Sequence, residues 1–390
     1  MAATEATGAA GKAVTPTEVV TKAAVVLDYA DLSKPTEELK DRIEAAFGYD
    51  GLGIIAITNV PGYLEKREAL LPRARELAHL PAEALKQYEH EASHYSVGWS
   101  HGKEIFEGKP DFAKGSFYAN PLHDKPVDDE ELIKKYPAFL EPNIWPTEHI
   151  PALEGAFKDL GNLIVSVGRQ LAVHCDGFVA GKVPGYPADR LSKLLKESRM
   201  CKARLLYYFP RSEEEAKAAA EKEASLPPMD AISSWCGWHN DHGSLTGLCQ
   251  AMYTDEAAGG KEIPNPDPSA GLYIRSRQHE LVKLQLPPGC LAFQIGESAQ
   301  IHTGGALQAT PHSVRAAGQA NVGRATLAVF MEPEWDEPMA PPSTGEEAVA
   351  KVTQGAKGET LPPGVPALDS RWNPTMDFGE FTHATLSAYY

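Results

Sequence analysis

The sequence lacks the cysteine spacing of a disulfide framework or of a zinc knuckle. Its five cysteines are odd in number, and no pair has the C-x-x-C spacing. Small secreted domains that depend on disulfides carry closely spaced, even sets of cysteine, and structural zinc sites commonly use C-x-x-C pairs. The pattern therefore favours a reducing compartment, and we expect a cytoplasmic protein.

Long apolar runs and an excess of basic residues are missing as well. No uninterrupted apolar stretch approaches the roughly 20 residues that span a bilayer, which argues against a membrane-integral protein. The formal net charge is −16, from 37 Lys and Arg against 53 Asp and Glu. Because nucleic-acid surfaces need clustered Lys and Arg, we expect neither a nucleic acid nor a membrane as partner. A small-molecule substrate remains the expected partner, and the sequence carries no signal of oligomeric state.

The first 22 residues contain neither an apolar signal core nor an Arg. Their Ala- and Thr-rich text predicts a disordered leader over 1–22, with an organellar transit peptide as the alternative. A mostly helical N-terminal region should follow over 23–195, and a β-rich catalytic domain over 196–335. The Pro-, Gly- and Glu-rich residues 336–390 predict a tail that is wrapped over the domain and only partly ordered.

The N-terminal region mixes predicted strands with predicted helices. The text VVLDYADLS (25–33) indicates a short strand, and GLGIIAITNVPG (51–62) has the β-branched, Gly- and Pro-bounded composition of a buried strand. Between 150 and 175, apolar residues recur at steps of three and four, which predicts the longest helix. These residues are Leu153, Phe157, Leu160, Ile164, Val167 and Leu171.

Beyond residue 200, short apolar runs alternate with turn residues, a texture typical of an all-β sandwich or barrel. Residues 211–232 interrupt this pattern as a partly helical insertion, and 254–269 is a second insertion that we expect to form a loop at the rim. The predicted strands cover 202–209, 245–253, 271–275, 281–286, 290–295, 307–314 and 325–331.

The line WCGWHNDHGSLTGL (235–248) contains an H-x-D motif, and a further histidine lies in ATPHSVRA. Two imidazoles and one carboxylate can occupy one face of an octahedral iron, leaving the other face open. On an extended strand, residues two apart point to one side, so His239 and Asp241 can converge while His312 arrives from another strand. A bare H-x-D is weak evidence, and a surface turn with an unrelated core histidine is the competing interpretation.

Arg324 lies twelve residues past His312, and Thr326 follows it at i+2. On a strand the two side chains share a face, so they can offer a guanidinium and a hydroxyl to one carboxylate. A dicarboxylate such as 2-oxoglutarate can chelate iron through its 2-oxo acid end while an Arg holds its far carboxylate. Taken alone, Arg324 is better explained as a surface strand residue paired with an acid.

Together these residues resemble the plant-type 2-oxoglutarate- and iron(II)-dependent dioxygenases, a group that includes isopenicillin-N-synthase-like oxidases. The resemblance covers residues 25–333 and is closest to a plant and algal branch of that superfamily. Besides both ligand motifs, it rests on GLGIIAITNVPG, NIWP (143–146), RLLYYFP (204–210), AGLYI (270–274) and IGE (295–297), in this order.

The resemblance implies an α+β fold: a distorted double-stranded β-helix, or jelly roll, with N-terminal helices packed on it. It assigns iron to the His239, Asp241 and His312 positions. It also assigns the far carboxylate of 2-oxoglutarate to Arg324 and Thr326, where the family has Ser in place of Thr.

A third motif of the family, Arg-x-Asn-Tyr-Tyr, aligns on Arg204 to Tyr208. Tyr208 would then reach the co-substrate, although Leu206 replaces the Asn. The implied chemistry uses Fe(II), 2-oxoglutarate and O2 to oxidise, most commonly to hydroxylate, a small organic molecule, with release of succinate and CO2.

Three alternatives compete with this hypothesis. One is an iron oxidase on the same fold that does not use 2-oxoglutarate, and another is a jelly-roll binding protein without turnover. The third is a zinc hydrolase with the pattern H-x-H-x-D-H, but Gly237 stands where its first histidine is required.

Four aromatic residues are candidates to line a substrate pocket, namely Trp99, Phe117, Tyr118 and Trp238. They suggest an apolar or aromatic small molecule, but aromatics at the mouth of a barrel are often simple packing. The sequence does not identify the substrate.

Overall fold

The computed structural model describes residues 18–106, 109–232, 234–356 and 361–389. Most of the predicted leader, residues 1–17, lies outside these ranges. Residues Val19–Ala23, however, form a strand in parallel register with Leu281–Gln285. The expectation of disorder up to residue 22 is therefore wrong for residues 19–22, whose Val-Val-Thr text suits an added strand.

The described residues contain seventeen strands and twelve α-helices, together with short 3-10 helices. The strands are β1 (Val19–Ala23), β2 (Val25–Asp28), β3 (Ile54–Thr58), β4 (Gly98–His101), β5 (Ile105–Phe106), β6 (Lys109–Pro110), β7 (Lys114–Ala119), β8 (Cys201–Tyr208), β9 (Cys236–His239), β10 (Leu245–Cys249), β11 (Met252–Asp255), β12 (Lys261–Ile263), β13 (Gly271–Arg275), β14 (Leu281–Gln285), β15 (Leu291–Ile295), β16 (His312–Arg315) and β17 (Val322–Met331). The helices are α1 (Lys40–Phe47), α2 (Tyr63–Ala78), α3 (Ala82–Lys86), α4 (Glu130–Lys135), α5 (Pro137–Leu140), α6 (Leu153–Ala180), α7 (Arg190–Glu197), α8 (Glu213–Ser225), α9 (Pro228–Ala231), α10 (Glu297–His302), α11 (Glu346–Val352) and α12 (Phe378–Tyr389).

Two mostly antiparallel sheets carry the site. The smaller has five strands in the order β1-β14-β13-β16-β9. The larger has ten, with the path β2-β3-β15-β10-β17-β8-β7-β4 and with β11 and β12 added beside β17. Apolar side chains of both sheets meet in one cluster, which includes Ile54 and Ala292 of the larger sheet and Ile274 and Val282 of the smaller. The result is an α+β protein built on two facing sheets.

Helix α6 packs on the larger sheet, and its apolar residues at steps of three and four are buried as predicted. Glycine makes this close packing possible. A Cβ on Gly247 in β10 would lie 2.2 Å from Ile164 Cγ2 of the helix. Helices α1 and α2 bury apolar residues in the same core, which therefore lies between the helices and one face of the sheet.

Each of the nine predicted strand segments contains a strand, but several boundaries differ, and further strands, such as β4 and β7, were not predicted. The segment 25–33 forms a strand only to Asp28, whose side chain accepts a hydrogen bond from Ala30 N and starts a 3-10 helix over Tyr29–Ser33. The predicted strand 245–253 is two strands, because Gln250 N leaves the ladder and donates to Tyr63 Oη at 2.8 Å. Of the predicted strand 307–314, only the part from His312 is extended.

Both predicted insertions contain regular secondary structure. Residues 211–232 contain α8 and α9, as the helical text predicted. The 254–269 segment begins in β11 and pairs back through β12 as a hairpin, whereas a loop was expected. The larger sheet also takes β2, β3, β4 and β7 from before residue 195, so the sheet itself crosses the predicted domain boundary.

The C-terminal tail has a core of its own against α10. Helices α11 and α12 form there, and the cluster buries Val352, Leu368, Phe378 and Phe381 around Ile301. The tail is therefore packed on the molecule as predicted, and its described residues include more regular structure than its composition suggested.

Candidate metal centre and its two cavities

Three side chains of the smaller sheet converge on one point. His239 ends β9 and His312 begins β16, and the two residues are direct partners across this antiparallel pair. Asp241 follows β9 by two residues. One ligand atom from each of the three lies within 4.8 Å of the others, a spacing that one metal ion can bridge. The Asp241 carboxylate lies 3.7 Å from His239 Nε2 and 3.9 Å from His312 Nε2.

The backbone orients His239 for ligation. Its Nδ1 donates to Gly237 O at 2.8 Å, which leaves Nε2 directed toward Asp241. A hydrogen bond of this kind fixes which nitrogen can bind a metal. Burial lowers the pKa of His239, but the Cys236 sulfur and then the Asp241 carboxylate outweigh burial and raise it to about 9. A cation that binds there must therefore displace a proton, so metal affinity depends on pH.

The pKa of His312 is shifted in the opposite direction. Burial, and then the charge of His239, lower its pKa to about 4, so its imidazole is neutral near pH 7. Its Nδ1 lies 3.4 Å from Thr310 O, a longer contact than that of His239. The site therefore combines one neutral imidazole, one imidazole whose proton a cation would displace, and one carboxylate.

A cavity of about 450 Å³ lies between the sheets on one side of these ligands. Arg324 of β17 lines it, with its guanidinium carbon 5.0 Å from the Tyr208 ring and 5.2 Å from the Trp235 ring. Among the described residues no carboxylate pairs with Arg324, and its buried Nε has no hydrogen-bond partner. The guanidinium is thus held by aromatic faces and left open to an anion.

Thr326 and Tyr208, which the resemblance assigns to the co-substrate, also line this cavity. The Thr326 hydroxyl donates to Cys249 O at 3.0 Å, so it can donate to a ligand only after rotating away from that carbonyl. Tyr208 contributes its ring to Arg324 and to the cavity wall, while burial raises the pKa of its phenol.

A second and larger cavity, of about 780 Å³, reaches the same three-residue centre from the other side. It shares His239 and Asp241 with the first cavity, so the candidate metal centre lies where the two meet. Two of the four pocket candidates, Tyr118 and Trp238, line it. The Tyr118 hydroxyl donates to Glu104 at 3.1 Å, and Trp238 Nε1 donates to Met229 O at 2.9 Å.

The other two aromatic candidates line neither cavity. Trp99 and Phe117 are 2% and 0% exposed and belong to the core under α6. The alternation of side chains along a strand explains the difference, since Phe117 faces the helix and its neighbour Tyr118 faces the cavity. Phe117 packs edge to face on Phe157 of α6, with ring centroids 5.8 Å apart.

Sequence reasoning missed several polar residues in the wall of the larger cavity, namely Glu104, Lys114, Lys202, His242 and Glu332, and it named Arg204 only as part of the strand motif. A signal did exist in β8. Lys202 and Arg204 alternate with buried apolar residues and therefore share a face with Tyr208. Arg204 pairs with Glu104, and Glu104 also lies 3.2 Å from Lys114. Burial raises the pKa of Glu104, but the positive charges of Arg204 and then of Lys114 outweigh burial and lower that pKa to about 2.

The tail was also missed as part of this site. Tyr389 of α12 accepts a hydrogen bond from Asn240 N at 3.2 Å, and Asn240 lies between two candidate ligands. The Asn240 amide donates to Glu297 Oε1 at 3.0 Å. Arg371 donates to both oxygens of Glu297 at 2.6 Å in a pair that is 2% and 1% exposed. The C-terminal segment is thus bonded to the backbone that carries the candidate metal ligands.

Solved structures share this architecture. A protein described as a member of the 2OG-Fe(II) oxygenase family from Caulobacter crescentus superposes with a TM-score of 0.65 at 18% identity, over 94% of this chain and 99% of that one. Full-length T7H from Neurospora crassa with alpha-KG gives 0.62 at 15%, over 94% and 95%. The dioxygenase for auxin oxidation 1 from Arabidopsis thaliana with 2-oxoglutarate gives 0.54 at 18%, over 83% and 99%.

At these identities the likeness is one of fold. No protein-family model and no curated protein matches the sequence. Within the described ranges, no helix has the length and apolar character that crossing a bilayer would require.

Proposed function

We propose that this protein is an Fe(II)- and 2-oxoglutarate-dependent oxygenase that hydroxylates a small organic molecule, with succinate and CO2 as co-products. We further propose that its two sheets are the distorted double-stranded β-helix of that superfamily, in the plant-type, isopenicillin-N-synthase-like group. One observation carries the proposal: the His239, Asp241 and His312 centre lies where two cavities meet, and one of them ends on an unpaired Arg324.

The donor set fits iron(II) well. Two imidazoles and a carboxylate on one side of an ion leave open positions for further ligands, which is the arrangement of non-haem iron oxygenases. A structural zinc site would instead be closed by a fourth protein ligand, and no fourth ligand group joins the three within the described residues.

The smaller cavity fits a dicarboxylate. Its two ends are the candidate metal centre and the Arg324 guanidinium, which tolerates a carboxylate in planar, two-point contact. Several neighbours of the same fold were solved with this co-substrate, T7H with alpha-KG and JOX2 with 2OG and Fe among them. These likenesses support the choice of 2-oxoglutarate for the smaller cavity and leave the larger one for the substrate.

When bound, iron(II) with 2-oxoglutarate supplies oxidative decarboxylation, which uses O2 to convert a C–H bond to C–OH and releases succinate and CO2. The residues of the chain then have positional roles. Asp241 supplies the only negative charge among the three ligands, and Gly237 O fixes the orientation of His239. The walls of the larger cavity position the target bond beside the centre and exclude water from it.

The test is anaerobic reconstitution with Fe(II), followed by addition of 2-oxoglutarate. We expect a visible absorption band from the chelate and, on exposure to O2, succinate formation that depends on both additions. A reconstituted protein that shows neither would overturn the proposal.

Two rival functions give different results in the same assay. An iron oxidase that draws all electrons from its substrate would bind the metal but form no succinate. A binding protein that has lost turnover would bind metal weakly or form no chelate band. The unpaired Arg324 favours the 2-oxoglutarate enzyme over both, because neither rival needs a second anion site.

A further inference from the structure

The wall of the larger cavity combines charged and apolar side chains. Lys202, Glu332 and His242 line it beside the Glu104, Lys114 and Arg204 cluster, and its apolar part is formed by Phe139, Leu226, Trp238, Phe330 and Leu386. The aromatic candidates in the sequence had suggested an apolar or aromatic small molecule. A wall of this kind instead suits an amphipathic molecule with one polar head group.

Lys202 is the unpaired cation of this wall. Its ammonium donates to Ser96 O at 2.8 Å and to Ala138 O, and no carboxylate of the described residues lies within 4.0 Å of it. The other two cations differ, because Lys114 and Arg204 are both paired with Glu104. An ammonium has three donors, so Lys202 retains one for a ligand.

Glu332 lies beside Lys202 on the same face of the sheet. Lys202 in β8 is opposite Phe330 in β17, and Glu332 is two residues past Phe330, which makes it the diagonal neighbour. The Glu332 side chain is 7% exposed and lies 3.6 Å from His242 Nε2, which has no hydrogen-bond partner. The two groups can therefore contact one head group from adjacent strands.

We propose that the substrate is a small organic acid whose carboxylate binds the Lys202 ammonium, with Glu332 as a second contact and its apolar body along Trp238. The charge states agree with this geometry. Burial lowers the pKa of Lys202 to about 8 and raises that of Glu332 to about 8. Near pH 7 the lysine is then charged and the glutamic acid protonated, so both groups can donate to a carboxylate.

This inference rests on the proposed function, and its test uses matched acids and amides. Phenylacetate, cyclohexanecarboxylate and octanoate would each be compared with the corresponding primary amide. The readouts are binding to the protein by calorimetry and stimulation of succinate formation above the rate without substrate. We expect acids to bind and stimulate, and the amides to do neither at equal concentration.

Variants separate the charge from the fold. Lys202→Met removes the ammonium, and Lys202→Gln removes the charge but keeps an amide donor for the two carbonyls. In both variants we expect the acid concentration that gives half-saturation to rise about 10- to 100-fold, which is the range for loss of a charge-assisted hydrogen bond. Lys193→Met, on the exposed side of α7, is the control and should leave acid binding unchanged.

Further outcomes are equally decisive. Glu332→Gln keeps a hydrogen-bond donor beside Lys202, so this variant should retain acid binding. In the wild type, the affinity for the acid should fall as pH rises through about 8, where Lys202 loses its proton and Glu332 becomes negatively charged. The inference is overturned if amides match the acids, if both Lys202 variants bind acids like the wild type, or if no acid binds. Succinate formation without substrate tests the proposed function separately, so the two failures can be told apart.

Discussion

Asp241 is the one anionic side chain among the three candidate ligands, and both imidazole Nε2 atoms lie within 4 Å of its carboxylate. Two neutral imidazoles alone offer a divalent cation no charge compensation. The single carboxylate therefore decides whether the site retains the metal, so substitution of Asp241 is the most direct test of the proposed metal site.

We expect Asp241→Ala to weaken iron binding by more than about 100-fold, because even residues that only hydrogen-bond to a metal ligand contribute about 10- to 100-fold. Iron content after dialysis measures this directly. The melting temperature of the metal-free variant should be close to that of the metal-free wild type. Asp189→Ala, at an exposed position, is the control, and wild-type iron content in Asp241→Ala would contradict the assignment.

Arg324 acts at the opposite end of the smaller cavity. We expect Arg324→Lys to raise the 2-oxoglutarate concentration for half-maximal turnover about 10- to 100-fold, since Lys loses the two-point contact and the stacking on Tyr208 and Trp235. Iron content should not change. Arg315→Lys is a matched control, because Arg315 is paired with Glu223. Unchanged 2-oxoglutarate dependence in Arg324→Lys would move the carboxylate site elsewhere.

At the scale of elements, the connection between the C-terminal segment and the metal centre is the least expected feature. Helix α12 reaches Asn240 through Tyr389, and Arg371 reaches the same residue through Glu297. Asn240 separates two candidate ligands along the chain. The position of the H-x-D backbone therefore depends on a segment about 130 residues further along the sequence.

Arg371→Met should destabilise the protein by about 3–5 kcal/mol, because it leaves the buried Glu297 carboxylate without its cation. It should also weaken iron binding, since Glu297 holds the Asn240 amide. Denaturant unfolding and iron titration measure the two effects. Arg371→Met combined with Glu297→Gln should recover part of the stability, and a double variant as unstable as the sum of both single changes would contradict this account.

At the scale of the whole molecule, neutral buried histidines limit stability in acid. Burial, and then the charge of Arg190, lower the pKa of His302 to about 3, while its Nε2 donates to Pro338 O at 3.0 Å. The unfolded chain binds this proton near pH 6.5. Between pH 6.5 and about 3 the unfolded state therefore holds more protons, and the stability from His302 is lost as pH falls.

His302→Gln removes this titration while keeping a donor for Pro338 O. Between pH 6.5 and 4, the free energy of unfolding of the wild type should fall by on the order of 3 kcal/mol more than that of the variant. A difference in stability that is the same at every pH does not enter this comparison. Urea unfolding at several pH values measures the difference. Parallel stability curves for the two proteins would contradict the assigned cause. His79, an exposed histidine, provides the control variant His79→Gln.

Much of the element content could be predicted from the sequence because local patterns determine it. The recurrence of apolar residues gave α6, and β-branched runs gave β3 and most strands beyond residue 200. The predicted boundaries were wrong where the hydrogen bonds of a single side chain ended an element, as at Asp28, which caps the following 3-10 helix and so ends β2. The prediction that Trp99 and Phe117 line a pocket was wrong for another reason. The sequence shows that side chains alternate along a strand, but it does not show which face of the strand meets the helices.

The sequence by itself singled out the three candidate ligands and Arg324. Two-residue spacing on a strand places His239 with Asp241 and Arg324 with Thr326 on one face, and the family resemblance added His312 to the set. Only the tertiary structure decided that these residues lie where two cavities meet, that Lys202 is an unpaired cation in one of them, and that the tail braces the H-x-D backbone. Those features depend on contacts between segments far apart in the chain, and such contacts follow from packing rather than from local periodicity.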